Sequence, residues 1–132
     1  MHRTLILDLD GTLLDTVPDL ATALHRAMLA RGVAGFSRLD TAAMVGDGAR
    51  VLYGRACAAR GLPFDEDGFG AFLADYTAHA ADDTRAFPGT VETLQAMQHE
   101  GWRFAVCTNK PAAATHALLG TLGLAPWFAA VG

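Results

Sequence analysis

At 132 residues, 52% of them apolar and 18% charged, the chain is long enough to bury one core and too apolar to stay disordered. Its net charge of −4 comes without a basic run, which leaves nucleic acid no electrostatic footing, and no stretch reads as a signal peptide or a membrane span. Cys57 and Cys107 have no CxxC partner, so both are expected to be ordinary thiols in a reducing, cytoplasmic setting, with Cys107 in the core.

Leu5-Ile6-Leu7 is a short continuous apolar run, the pattern of a buried parallel strand, and Gly11-Thr12 turns the chain away from its end. Asp8 and Asp10 therefore stand at a strand's carboxyl end, where open α/β sheets bind ligands. A helix is predicted from Thr16-Val17-Pro18, with Thr16 or Val17 near its cap, Asp19 favouring the helix dipole and Gly32 as its stop. A short helix after Ser37, a third from about Gly48 to Arg60 and a fourth from near Asp65 follow. Phe69, Phe72 and Tyr76 on the fourth are expected to pack within the resulting helical bundle.

Phe87-Pro88-Gly89 returns the chain to an α/β pattern. An amphipathic helix over Thr90 to Glu100 leads to a strand over Arg103 to Cys107, then a helix after Pro111 and a strand from Phe128. The fold class expected is thus α/β, a Rossmann-like parallel sheet of about three strands carrying an inserted four-helix cap. Its core domain would be 1–16 with 84–132, and its helical cap domain 17–83.

Two carboxylates crowded into one crevice either bind a cation or force one acid to keep its proton, and both outcomes suit phosphoryl transfer. Thr108, Asn109 and Lys110 end the neighbouring strand before a helix, so a hydroxyl, main-chain N–H groups and an ammonium could cradle phosphate there or simply cap the helix. Gly46-Asp47-Gly48-Ala49-Arg50 admits two readings: a glycine loop, including Gly48, that brings Arg50 to a substrate, or a helix start with a solvated arginine. Arg85 reads as a linker charge, and none of the five histidines has zinc-ligand spacing.

Asp8-Leu9-Asp10-Gly11-Thr12-Leu13-Leu14-Asp15-Thr16 resembles the opening signature of the haloacid dehalogenase superfamily, and Thr108-Asn109-Lys110-Pro111 with the 46–50 loop resembles its phosphoglycolate phosphatase-like members. The resemblance implies that Asp8 is a nucleophile forming an aspartyl-phosphate and Asp10 the general acid/base. Magnesium would be held by the Asp8 carboxylate and the Asp10 carbonyl. Gly11, Thr12, Thr108, Asn109 and Lys110 would bind phosphate, with Asn109 orienting the Asp8 site, and Gly48 and Arg50 would select the substrate. A small phosphorylated metabolite such as 2-phosphoglycolate would be hydrolysed. A phosphosugar mutase shares the same nucleophile, and a non-catalytic phosphate-binding or interaction fragment is the reading outside enzymology.

Members of the superfamily continue with a lysine and a Gly-Asp-rich segment, whereas here Lys110 is the only lysine and Glu100 the last acid. The expectation is of a truncated chain, inactive or nearly so by itself. Leu5 to Leu9 would present an unpaired edge and an uncovered apolar face, open to self-association.

Overall fold

The computed structural model describes residues 3–131, so His2 and Gly132 lie outside the described residues. Three parallel strands, β1 (Arg3–Leu7), β4 (Trp102–Val106) and β5 (Phe128–Val131), form a sheet in the order β1-β4-β5. The β1–β4 ladder runs from Arg3 opposite Trp102 to Leu7 opposite Val106, while β4 and β5 shift register between Phe104 and Ala105. Helices α5 (Thr90–His99) and α6 (Ala112–Thr121) make the crossovers. This is the expected α/β class with a parallel sheet.

Four helices separate the first strand from the rest: α1 (Val17–Ala30), α2 (Arg38–Met44), α3 (Ala49–Ala59) and α4 (Glu66–His79). Their boundaries follow local chemistry. Ser37 caps α2 by accepting from the Asp40 amide at 3.1 Å, and Asp65 caps α4 by accepting from Gly68 at 2.9 Å. Gly32, φ +78°, ends α1 while the Val33 amide returns to Met28. α1 packs on α2 and α4, α3 packs on α4, and α4 also packs on α6, which joins the helical unit to the sheet's helices.

Where the chain enters and leaves that unit, two very short strands run antiparallel, β2 (Leu14–Asp15) against β3 (Arg85–Ala86). The Phe87 amide extends this ribbon by donating to Leu13 at 3.1 Å. Asp19, 4% exposed, ties the same place together: its carboxylate accepts from the amides of Asp83 and Thr84 and from the Thr84 hydroxyl. One core runs through both parts, including Leu9, Leu14 and Leu24, then Phe72 and Tyr76, then Phe104, Val106 and Leu118.

Of the two readings of Leu5-Ile6-Leu7, the unpaired edge holds and burial on both faces does not: among the described residues β1 pairs only with β4, Ile6 is 67% exposed, and Leu5 and Leu7 are half-buried beside an open groove of about 300 Å³ shared with Leu94 and Met97. Leu9, by contrast, leaves the strand and is fully buried. Cys107 is exposed, not in the core, because β4 ends at Val106 and alternation turns the next side chain away from the face that buries Phe104 and Val106. No helix among the described residues is long and apolar enough to cross a membrane.

Candidate active site

The strand end that carries the acids is wound into a tight turn. Thr12, Leu13 and Leu14 all direct their amides at the Leu9 carbonyl, and the Gly11 amide donates to Leu14 at 2.9 Å. Gly11 holds φ +75°, a left-handed conformation that costs a residue with a Cβ about 1–2 kcal/mol. Leu9 is thereby driven into the core, leaving Asp8 and Asp10 on either side of it at the pocket. The neighbouring strand end lies alongside, with the Cys107 amide donating to Leu7 at 2.9 Å, and Thr108 follows. Asp8, Asp10, Gly48, Thr108, Asn109 and Lys110 all line one pocket, whose remaining wall includes Leu20, Leu52, Tyr76 and Pro111. Its enclosed volume is about 30 Å³, room for a water or two.

Within the pocket the two acids are held differently. Asp8 is exposed, and its Oδ1 accepts from the Leu9 amide at 2.7 Å. Asp10 is 13% exposed and its Oδ1 takes two donors, the Thr16 hydroxyl at 2.7 Å and the Lys110 ammonium at 3.0 Å. Thr16, expected near the cap of α1, stands at the cap position, yet its hydroxyl is given to Asp10. Lys110 is only 4% exposed, and it also donates to the hydroxyl of Tyr76 on α4. Burial lowers its pKa below the ordinary lysine value, against the pull of the Asp10 charge beside it. Burial likewise raises the Tyr76 phenol, helped by the negative charges of Asp10 and Asp19.

The remaining residues of interest sit as follows. The Thr108 hydroxyl accepts from the Lys110 amide at 3.1 Å, which tightens the turn into α6. Asn109 makes its side-chain bond to the 46–50 loop and not to Asp8: Nδ2 donates to the Gly46 carbonyl at 3.0 Å. Gly48, φ +94°, lies so close to that strand end that a Cβ would stand 3.1 Å from the Asn109 carbonyl. Gly11 and Thr12 are exposed in the turn and are not part of the pocket wall. Arg50 is not brought to the pocket either. Its guanidinium, 59% exposed, binds Glu66 at 2.7 Å and lies over the rings of Phe64 and Phe69. Of the two readings of that loop, the structure has the glycines at the crevice and the arginine on the outer surface.

Sequence reasoning missed two contributors, Thr16 and Tyr76. Nothing marks a hydroxyl at a helix start as one that turns back six residues, and Tyr76 shares an apolar stripe with Phe72, so only the oxygen at its tip hinted at more.

The family model for haloacid dehalogenase-like hydrolases matches residues 2–132. The chain belongs to the haloacid dehalogenase-like hydrolase family. It is 41% identical over 132 residues to a phosphoglycolate phosphatase of Caulobacter vibrioides and 40% identical over 130 residues to one of Agrobacterium fabrum, covering 97% and 96% of this chain and 56% of each relative. It spans little more than half the length of these relatives. A solved structure described as a predicted phosphoglycolate phosphatase from Haemophilus somnus 129pt superposes with a TM-score of 0.83 at 29% identity, over 98% of this chain and 61% of that one. Similar proteins of this haloacid dehalogenase-like chain thus include phosphatases, and in the chain itself the acid pair, Thr108 and Lys110 share one crevice at the strand ends.

Proposed function

We propose that the whole protein is a magnesium-dependent phosphatase that hydrolyses a small phosphate monoester of the 2-phosphoglycolate kind through an aspartyl-phosphate on Asp8. The observation that carries this reading is the convergence of Asp8, Asp10, Thr108 and Lys110 on one pocket at the carboxyl ends of β1 and β4. The names of the relatives support the substrate class. In this reading residues 17–83 are a cap over a core of 1–16 and 84–132, and Cys57 and Cys107, both free, suit a reducing cytoplasm.

Asp8 supports magnesium as the metal: it is an exposed carboxylate with a single described hydrogen bond, open to an oxygen-seeking cation. Magnesium characteristically uses one or two carboxylates and keeps water. The Asp8 carboxylate and the Asp10 main-chain carbonyl would hold the ion, which when bound neutralises phosphoryl charge.

The chain's own groups then act in order. A carboxylate oxygen of Asp8 attacks phosphorus, the ester P–O bond breaks, and the leaving oxygen takes a proton from the Asp10 carboxyl. Water next attacks the acyl-phosphate phosphorus while Asp10 takes back a proton, releasing inorganic phosphate and restoring Asp8. Thr108 and Lys110 line the same pocket and in this reading donate to the transferred group, with the apolar wall of Leu20, Leu52 and Pro111 strengthening those donors by excluding water. Loss of other charge-stabilising donors would cost about 10²–10³ each, so the 132 residues alone are proposed to be inactive or nearly so.

The test is phosphate release from 2-phosphoglycolate by the full-length protein. Asp8→Asn should lower kcat by at least about 10³-fold with the fold unchanged by circular dichroism. Near-normal turnover by that variant would overturn the reading.

A further inference from the structure

We propose that Tyr76 on α4 is a positioning residue for the Asp10 carboxylate, acting through the ammonium of Lys110; its catalytic consequence rests on the phosphatase reading above. The chain of contacts is short. The Tyr76 hydroxyl receives a hydrogen bond from Lys110 Nζ, and the same Nζ lies 3.0 Å from Asp10 Oδ1.

The two ends of this relay differ in stiffness. Tyr76 is 1% exposed, and its ring stacks on Phe72 with centroids 6.4 Å apart and planes 18° apart. Phe72 stacks in turn on Tyr53 at 5.7 Å, so the hydroxyl is fixed by an aromatic row that reaches across the helical unit. Lys110 is the opposite: a point charge on a four-carbon stem, with three donors and no planar fork to set its direction. A buried ammonium whose only anchor was one carboxylate could swing from one acid to the other. The Tyr76 oxygen removes that freedom by supplying a second, immobile acceptor, and leaves the third N–H for phosphate.

What Lys110 does to Asp10 follows from where its bond falls. Both described donors to Asp10, Thr16 Oγ1 and Lys110 Nζ, are on Oδ1. Oδ2 is therefore the oxygen left to exchange a proton, and the orientation of the carboxylate depends on Lys110 staying in place. Tyr76 comes from the helical unit, whereas Asp10 and Lys110 come from the two strand ends. Seating α4 on α6 thus sets the carboxylate as well as covering it.

A double-mutant cycle tests this in the full-length protein, with Tyr76→Phe, Lys110→Met and the double variant compared with wild type. The first readout is the Asp10 13Cγ resonance of aspartate-labelled protein, assigned with Asp10→Asn, which needs no turnover. Tyr76→Phe should move that resonance by more than its linewidth in the wild-type background and leave it unmoved in the Lys110→Met background. The second readout is kinetic: Tyr76→Phe should lower kcat about tenfold while KM changes less than about twofold, and should do neither once Lys110 is Met. An unmoved resonance, or equal shifts in both backgrounds, would show that Tyr76 only fills space. If wild type releases no phosphate from any monoester, the phosphatase reading fails while the resonance still decides the relay. Tyr76→Met, which keeps apolar volume without a hydroxyl, replaces the phenylalanine variant if that one does not fold.

Discussion

Asp19 shows how much a single carboxylate can organise. It is buried at the first turn of α1, where the sequence offers it only as a favourable charge for the helix dipole, yet its partners are 64 and 65 residues away. Removing it leaves two amides and one hydroxyl facing a site with no acceptor, each such group costing about 1–3 kcal/mol where water cannot replace the bond. Asp19→Ala should therefore destabilise the protein by about 2–5 kcal/mol in urea unfolding, and Asp19→Asn, which keeps one acceptor oxygen, by clearly less. A loss below about 0.5 kcal/mol for the alanine variant would mean that solvent satisfies these donors already. The same contrast explains what was legible at this scale. Asp8, Asp10 and Thr108 could be found because a strand end fixes where they go, so their spacing in sequence carries over into space. Arg50 could not, since a long side chain on a helix start has several reachable partners, and Glu66 with two aromatic faces outcompetes the pocket. Asn109 likewise had a choice of neighbours and took the Gly46 carbonyl.

Among the elements, the helices were readable because their ends are local: Ser37 and Asp65 are caps, and Gly32 and Gly61 are stops with positive φ. The β2–β3 ribbon was not readable. Two residues have no period, and their partners lie some seventy positions on, so only tertiary structure defines them. The edge position of β1 was legible only through the family resemblance, since an apolar run by itself reports a capacity for burial and not whether a neighbour is there. The 46–50 loop can be tested directly. Gly48 sits at φ 94° and ψ 167°, a region that is essentially glycine-only and costs other residues about 1–3 kcal/mol. A Cβ there would also press on the Asn109 carbonyl at 3.1 Å, whereas one at Gly46, φ +131°, would meet nothing within 4 Å. Gly48→Ala should thus lower stability by about 1–3 kcal/mol and by more than Gly46→Ala, measured as urea midpoints of the two variants side by side. Equal losses would show that backbone strain alone acts and that the loop does not lean on the second strand end.

Over the whole molecule, two buried phenols give alkaline pH a defined effect on stability. Tyr53 is fully buried among Phe64, Phe69 and Phe72, and its hydroxyl lies 2.8 Å from Asp65 Oδ1. Burial first, then that hydrogen bond, pushes it up to about 12. Tyr76 is raised in the same direction, again by burial first. An unfolded tyrosine titrates near 10, so above that pH the unfolded chain releases protons that the folded one still holds, and the slope of unfolding free energy with pH is negative. The phenols' contribution is whole below about pH 10 and is lost as pH rises through the folded values. Lys110 carries the opposite sign, because its lowered pKa lets the folded state shed a proton first, but that gain is complete by about 10.5, where the unfolded lysine also titrates. The fall above that point therefore belongs to the tyrosines. Urea midpoints should not fall before about pH 10, Lys110 adding stability up to about 10.5, and should then drop progressively toward pH 12, and Tyr53→Phe, though less stable for its lost bond to Asp65, should show a shallower drop because one of the two raised phenols is gone. An identical slope in that variant would mean that Tyr53 ionises in the folded protein as freely as in the unfolded chain, and that the aromatic row spanning the helical unit is open to water.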